Sequence, residues 1–386
     1  MTRTAVTFAS FLAGMAMCAP AVAQQQAPDA APPATKPKRF RNVKVDQGGG
    51  FHLTKHFAIV FGGIKQGSGA AIGPAISQLF ANGAYAQFKA VYSMRSFKLL
   101  QGRFDSQPLF GKRVILSTRA RWQDAPELSI YRLGPDSPNL RAEYSERKTE
   151  WSGVARTAVA NKTVLLAGTG VERYSSSGGW VAGGDDGLPD VPQTPGLGTK
   201  PWFVHSFVEM ANDTRLSPDF SRRGHLLDAA FHNYYDASEG EQTFQRVTLA
   251  AYKLLPTWGD RGAIGLGARA WFTGTASDDQ APFFLMPTLG GGDYMRGYSS
   301  YRFRDRQAVL LAAEYRYAVH PKIDVAAIYE AGTVSPAVGT LSLKRMAQDV
   351  GGGIRLHTRT SGLLRVDVAH GSDGFKVAFG VGIGGS

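Results

Sequence analysis

The sequence predicts an all-β protein, a closed antiparallel transmembrane β-barrel of about sixteen strands. Three observations predict it. Apolar residues recur at every second position from His56 onward, the alternating runs are long, and the segments between them alternate between short and long.

The period of two is clearest near the C-terminus. In "FKVAFGVGI", Phe375, Val377, Phe379, Val381 and Ile383 share one face, and Lys376, Ala378, Gly380 and Gly382 the other. In "IDVAAIYEAG", Ile323, Val325, Ala327 and Tyr329 oppose Asp324, Ala326, Ile328 and Glu330. "LLRVDVA" sets Leu364, Val366 and Val368 against Arg365, Asp367 and Ala369; "LLAAEYRYAV" sets Leu311, Ala313, Tyr315, Tyr317 and Val319 against Glu314 and Arg316. A soluble sandwich would bury the apolar face; a membrane barrel would turn it to lipid and line its lumen with the charged one. Alternation alone leaves both open.

Run length and connector length separate them. The runs 84–97, 148–160, 162–174, 202–214, 242–256 and 305–319 exceed the ~5–6 residues of a soluble strand and meet the ~9–11 needed to cross a bilayer. Short turns are read near 82 and at 123–127, 160–162, 257–262, 320–322 and 358–362. Longer loops are read at 98–111, 134–147, 175–200, 275–304 and 334–348. Short periplasmic turns and long external loops are the outer-membrane pattern. Counting back from the C-terminus gives about sixteen strands, with 127–133 the weakest signal. Lipid tolerates no unpaired strand edge, so the last strand is expected to meet the first, near 54–65.

The chain begins with export features. Arg3 and the apolar stretch Ala5–Met17 precede Ala21-Val22-Ala23, a small-x-small cleavage site. The sole cysteine, Cys18, lies ahead of that cut, so no disulfide is expected in the mature chain. The organisation expected is a signal peptide over 1–23, a disordered periplasmic tail over 24–50 and the barrel over 51–386. The tail is rich in Gln, Ala and Pro and then basic, with Lys36, Lys38, Arg39, Arg41 and Lys44.

Competing chemistries find little support. The net charge is +12, but the basic residues alternate with apolar ones in an exported chain without a nucleic-acid motif, so no nucleic-acid partner is expected. The eight histidines show no zinc-binding spacing. Asp228 and His232 share a strand face without a placed nucleophile, Asp367 and His370 fall on opposite faces, and no Gly-x-Ser-x-Gly is present. Asp185, Asp186 and Asp190 in "GGDDGLPD" lack the alternating-oxygen spacing of a calcium loop. The chain is therefore read as a non-enzyme, with no catalytic, cofactor or metal site.

The stretch "GGDYMRGYSSYRFRDR" (291–306) places Arg296, Gly297 and Tyr298 together in a long loop. Further on come "AEYRYAV" (313–319), Ile328-Tyr329-Glu330-Ala331-Gly332, "GGGIRL" and "LRVDVAHG"; upstream, Asp213-Thr214-Arg215 precedes Arg223-Gly224. With these motifs in this order, residues 51–386 resemble the barrel domain of the BamA/TamA superfamily, of the bacterial surface antigen type. The resemblance implies that the sixth external loop folds back into the lumen. Its Arg296 then meets an inward acidic residue; Glu330, Asp324 and Asp367 have the required parity. A bidentate arginine–carboxylate pair is directional, Gly297 permits close approach to the wall, and Tyr298 can pack and still donate a hydrogen bond.

The resemblance also implies a location, the outer membrane of a Gram-negative bacterium, and a role in inserting or translocating polypeptides there. The partners would be the lipid bilayer, a polypeptide client and a separate periplasmic protein held by the basic tail. Two departures keep alternatives open. The ~27 residues at 24–50 are too few for the periplasmic repeat domains of the family, and the chain ends on Gly-Gly-Ser rather than an aromatic residue. A passive pore or structural surface antigen is the alternative, and an outer-membrane hydrolase a minor one.

Overall fold

The computed structural model describes residues 50–381 except 112, 182–193, 216–220, 239–240, 258–260, 277–278 and 358–361. The expected signal peptide, the tail up to residue 49 and the acidic stretch 183–190 lie outside the described residues. Everything below belongs to one compact unit, Asp46–Ser386.

A short β1 (Gly50–His52) precedes the wall. The wall itself runs through β2 (Phe57–Gly62), β3 (Ala71–Leu79), β4 (Tyr85–Ser93), β5 (Lys98–Asp105), β6 (Val114–Ile130), β7 (Ala142–Ala160), β8 (Thr163–Val181) and β9 (Trp202–Asp213). It continues through β10 (Gly224–Asp236), β11 (Phe244–Thr257) and β12 (Gly262–Thr275). After a long loop that holds the two-residue strands β13 (Thr288–Leu289) and β14 (Phe303–Arg304), five more strands complete it. These are β15 (Gln307–His320), β16 (Ile323–Ser335), β17 (Ala347–His357), β18 (Gly362–Gly371) and β19 (Gly374–Val381). Among the described residues the wall thus has sixteen strands, each antiparallel to the next from β2 to β19, and the sheet is nearly closed into a barrel.

The seam lies between β19 and β2. They are hydrogen-bonded neighbours in the ring, and β18 and β19 pair over eight rungs from Leu364–Val381 to Gly371–Gly374. β3 occupies one edge of β2, so β1 occupies the other, with Gly50 opposite Val60 and His52 opposite Ala58. The start of the described chain therefore lies along the seam edge.

The faces follow the alternation. Ile72, Ile76, Phe88, Leu100, Val208, Phe231, Leu266, Leu311, Val325, Ile354, Val377 and Phe379 point outward and are exposed, as a lipid-facing band requires. The buried groups lie inside. Three apolar clusters fill the lumen, and the loop 276–306 contributes to each: Phe283 and Tyr301 to the first, Leu289, Met295, Tyr298 and Phe303 to the second, Ala281 and Met286 to the third. The core of this barrel is thus a loop packed into its interior.

Two expectations near the N-terminal half are corrected. The run 84–97 ends at Ser93, and the expected loop at 98–111 is largely strand β5, reached by a four-residue turn in which Ser96 adopts φ +63°. The expected turn at 123–127 is no turn. It lies inside the seventeen-residue β6, where the register to β7 shifts between Ala125 and Leu128. Pro126 sits in that irregularity, because a proline without an N–H is tolerated at a bulge but not on a regular central ladder. One strand missed and one turn wrongly introduced cancel, so the count of sixteen stands. β7 and β8 are also longer than read, at nineteen residues each, and take up parts of the expected loops 134–147 and 175–200. By chain order, 276–306 is the sixth connection at its end of the barrel.

Candidate functional site

The sixth loop descends the lumen and meets the inner wall of β15–β18. Met295 takes φ +56°, and this turns the next two peptide N–H groups toward the wall. The Arg296 N–H donates to Glu330 Oε2 at 2.9 Å and the Gly297 N–H to Asp349 Oδ2 at 2.7 Å. The Tyr298 hydroxyl donates to the carbonyl of Gln348 at 2.9 Å. A β-carbon on Gly297 would stand 2.7 Å from Asp349 Cβ and 2.7 Å from the Gly371 nitrogen. Glycine is therefore demanded by contact with the strand backbone, since no side chain fits there.

The Arg296 side chain is the centre of a charge lattice. Its Nε lies 3.3 Å from Asp367 Oδ2, and its Nη1 lies 3.8 Å from Glu314 Oε2 and 3.9 Å from Glu330 Oε1. These separations are Coulombic rather than good hydrogen bonds. Arg355 pairs with Asp367 and approaches Glu314 at 3.4 Å; Arg316 Nε lies 3.2 Å from Glu314. Arg365 Nε lies 3.4 Å from Asp367 Oδ2, and its Nη2 donates to the loop carbonyl of Gly292 at 2.5 Å. Four guanidinium groups thus face Glu314, Glu330, Asp349 and Asp367. Buried charges persist only when matched in this way. Within the loop itself, burial pushes the phenols of Tyr294 and Tyr301 above their usual range, which keeps both neutral.

Of the three acidic partners expected for Arg296, Glu330 and Asp367 are beside it. Asp324 is not: it pairs with Arg222 and lies 3.5 Å from His357 Nε2. Asp324 shares the face of Glu330 but sits six positions away, roughly 20 Å along the strand. Parity assigned the face correctly and could not assign the height. Asp349 was missed, although its alternation with Gly351, Gly353 and Arg355 marks it as lumenal. The loop is held further along by Arg302, whose Nε lies 3.1 Å from Asp373 Oδ2 and whose Nη2 donates to Ser137 O at 2.7 Å.

A second polar chain crosses β7–β10. Lys148 Nζ lies 3.0 Å from Glu150 and 3.0 Å from Glu172, Tyr174 donates to Glu172 at 2.5 Å, and His205 Nδ1 is 3.0 Å from Glu172 Oε1. His205 Nε2 then meets His232 Nδ1 at 3.1 Å. His232 is thus oriented by His205 rather than by Asp228.

No family model matches this sequence, and no curated protein matches it. Solved structures do match. BamA from Haemophilus ducreyi lacking POTRA domains 1–3 superposes with a TM-score of 0.63 at 13% identity, covering 84% of this chain and 69% of that one. CdiB from Escherichia coli gives 0.56 at 12%, and CdiB from Acinetobacter baumannii 0.53 at 11%; each covers 84% of this chain. The chain spans 62% and 58% of those two proteins. At such identities the likeness is one of fold.

Proposed function

We propose that this chain is an outer-membrane barrel of the BamA/TamA superfamily that assists insertion or translocation of polypeptides. The observation that carries the reading is the Arg296-Gly297-Tyr298 segment seated on the inner wall by two N–H-to-carboxylate bonds. The same loop packs residues into all three apolar clusters of the lumen, which obstructs the open passage of a water-filled pore. The fold likeness to BamA and CdiB agrees with it. In this reading the loop holds the barrel closed and in register while β2 and β19 receive a client strand, and a periplasmic protein bound at 24–50 presents the client.

The test is deletion of the protein, with comparison of the outer-membrane proteome and capture of partners by a tagged copy. Loss of particular outer-membrane proteins, restored by the wild type and not by Arg296→Ala, is the expected outcome. An unchanged proteome, no captured partner and steady ion conductance in a planar bilayer would leave a passive barrel in its place.

A further inference from the structure

The lipid-facing side of the ring is not uniform at its external end. On β10–β19 the outward strand residues there include Asn233, Tyr235, Gln245, Phe272, Gln348 and Phe375, none of them lysine or arginine, and the exposed cations Lys344 and Arg345 sit in the loop before β17. On β5–β8 the same end carries Lys98, Arg147 and Arg173, and Lys200 lies just before β9. Lys98, Asp124, Arg147 and Ser175 form one outward row across these strands. Leu100, Trp122, Thr149, Arg173 and Trp202 form the next. Lys98 Nζ lies 3.8 Å and Arg147 Nε 3.5 Å from Asp124, so two cations share one carboxylate. Arg173 and Lys200 are exposed and have no carboxylate partner among the described residues.

Directly below these cations the wall is concave. An apolar groove of about 960 Å³ runs between Trp122, Trp151 and Trp202 over Gly102 and Ala120. The next concavity, about 720 Å³, is floored by Ala155 and Ala167 and flanked by Leu116, Val208 and Phe231. Small residues on the lipid face leave room at the depth where acyl chains lie, and tryptophan favours the headgroup boundary.

We propose that this face of β5–β9 is a binding site for one multiply acylated, phosphate-bearing lipid of the external leaflet. Lys98, Arg147, Arg173 and Lys200 take the phosphate groups, and the two grooves take the acyl chains. At this end Lys98, Arg147, Arg173 and Lys200, together with Arg95 and Arg141, outnumber the carboxylates Asp124, Glu127 and Glu143, and the surplus of cations favours an anion. A soluble anion would leave the grooves empty, and a second copy of the chain would bring like charges together. The inference rests on the transmembrane reading of the barrel and is independent of its role with polypeptides.

The test uses the full-length barrel in neutral detergent micelles, titrated with a bisphosphorylated hexa-acyl lipid A and with its dephosphorylated form, reading tryptophan fluorescence and lipid retention by native mass spectrometry. The wild type should bind the phosphorylated lipid saturably, and Arg173→Ala with Lys200→Ala should weaken binding about tenfold or more. Gly102→Leu, which fills the groove and keeps the charges, should also weaken it. Lys253→Ala removes an exposed cation from the opposite end of β11 and should change nothing. Heat-dependent gel mobility, retained in every variant, establishes that the barrel is intact. Equal binding of the dephosphorylated lipid, an unchanged affinity in the double variant, a loss as large in Lys253→Ala, or full competition by inorganic phosphate would each overturn the proposal.

Discussion

The two inner walls of this barrel obey the same alternation and do different things with it. Across β6–β9 the polar side chains satisfy one another: Arg119 Nη2 lies 2.7 Å from Glu150, Lys148 bridges Glu150 and Glu172, and His205 completes the chain. The sixth loop touches this side mainly with aromatic rings, Phe283 at 4.7 Å from Tyr144 and Phe284 at 5.1 Å from Tyr174 between centroids. Across β15–β18 the carboxylates are turned to the loop instead. Glu330 and Asp349 accept its backbone N–H groups, while Gly332 and Gly371 leave no side chain in the way of Met295, Leu289 and Tyr298. One wall is finished by itself. The other is finished by the loop, and its charges and missing side chains are placed for that purpose.

The largest test of this contrast is Arg296→Ala. It leaves Glu314, Glu330 and Asp367 without their shared cation, and removing one partner from a buried charge set costs about 3–5 kcal/mol. The loop 276–306 should become protease-sensitive while the barrel keeps its heat-dependent mobility, because strand pairing and lipid-facing packing are untouched. Glu330→Gln should act in the same direction, and the double change should cost less than the sum, by about 0.5–3 kcal/mol. Simple additivity would mean that Arg296 is held by Asp367 and Glu314 rather than by Glu330.

Gly297→Ala comes next. Its new β-carbon meets Asp349 and the backbone of Gly371, an overpacking worth about 1–3 kcal/mol. The same protease assay reads it, and full protection of the loop would show that the contact yields freely. Glu172→Gln addresses the other wall. It should lower thermal stability by about 1–3 kcal/mol through Lys148 and His205, yet leave the loop protected. Loop cleavage as fast as in Arg296→Ala would erase the distinction between the walls. Asp324→Asn should have the smallest effect on the sixth loop. Its partner is Arg222, so limited proteolysis should appear at 214–223 and not at 276–306; the reverse pattern would place Asp324 back in the Arg296 lattice.

Much of this was legible beforehand, for a local reason. A strand displays its two faces in a period of two, so which residues face lipid and which face the lumen is written in each segment separately. The lumenal parity of Glu330 and Asp367 was read in that way, whereas the Arg296-Gly297-Tyr298 tripeptide and its meeting with them came from the family resemblance. Errors arose where periodicity is silent. The four-residue turn before Lys98 is as apolar and basic as its flanks, and the bulge at Pro126 looks like a turn because proline signals both.

What only the tertiary structure decided is height and adjacency. Parity cannot say that Asp324 lies far below Arg296 or that Asp349 lies level with Gly297, because that depends on the register between strands and on how deep the loop descends. Nor can it gather Lys98, Arg147, Arg173 and Lys200 on one patch, since they come from four segments that become neighbours only through the ladders β5–β6–β7–β8–β9. The sequence by itself determined the fold class and which residues share a strand face, through local sterics and the choice between lipid and lumen, but not the limits of β4–β8. The sites belong to the register, which exists only once the sheet has curled into a ring.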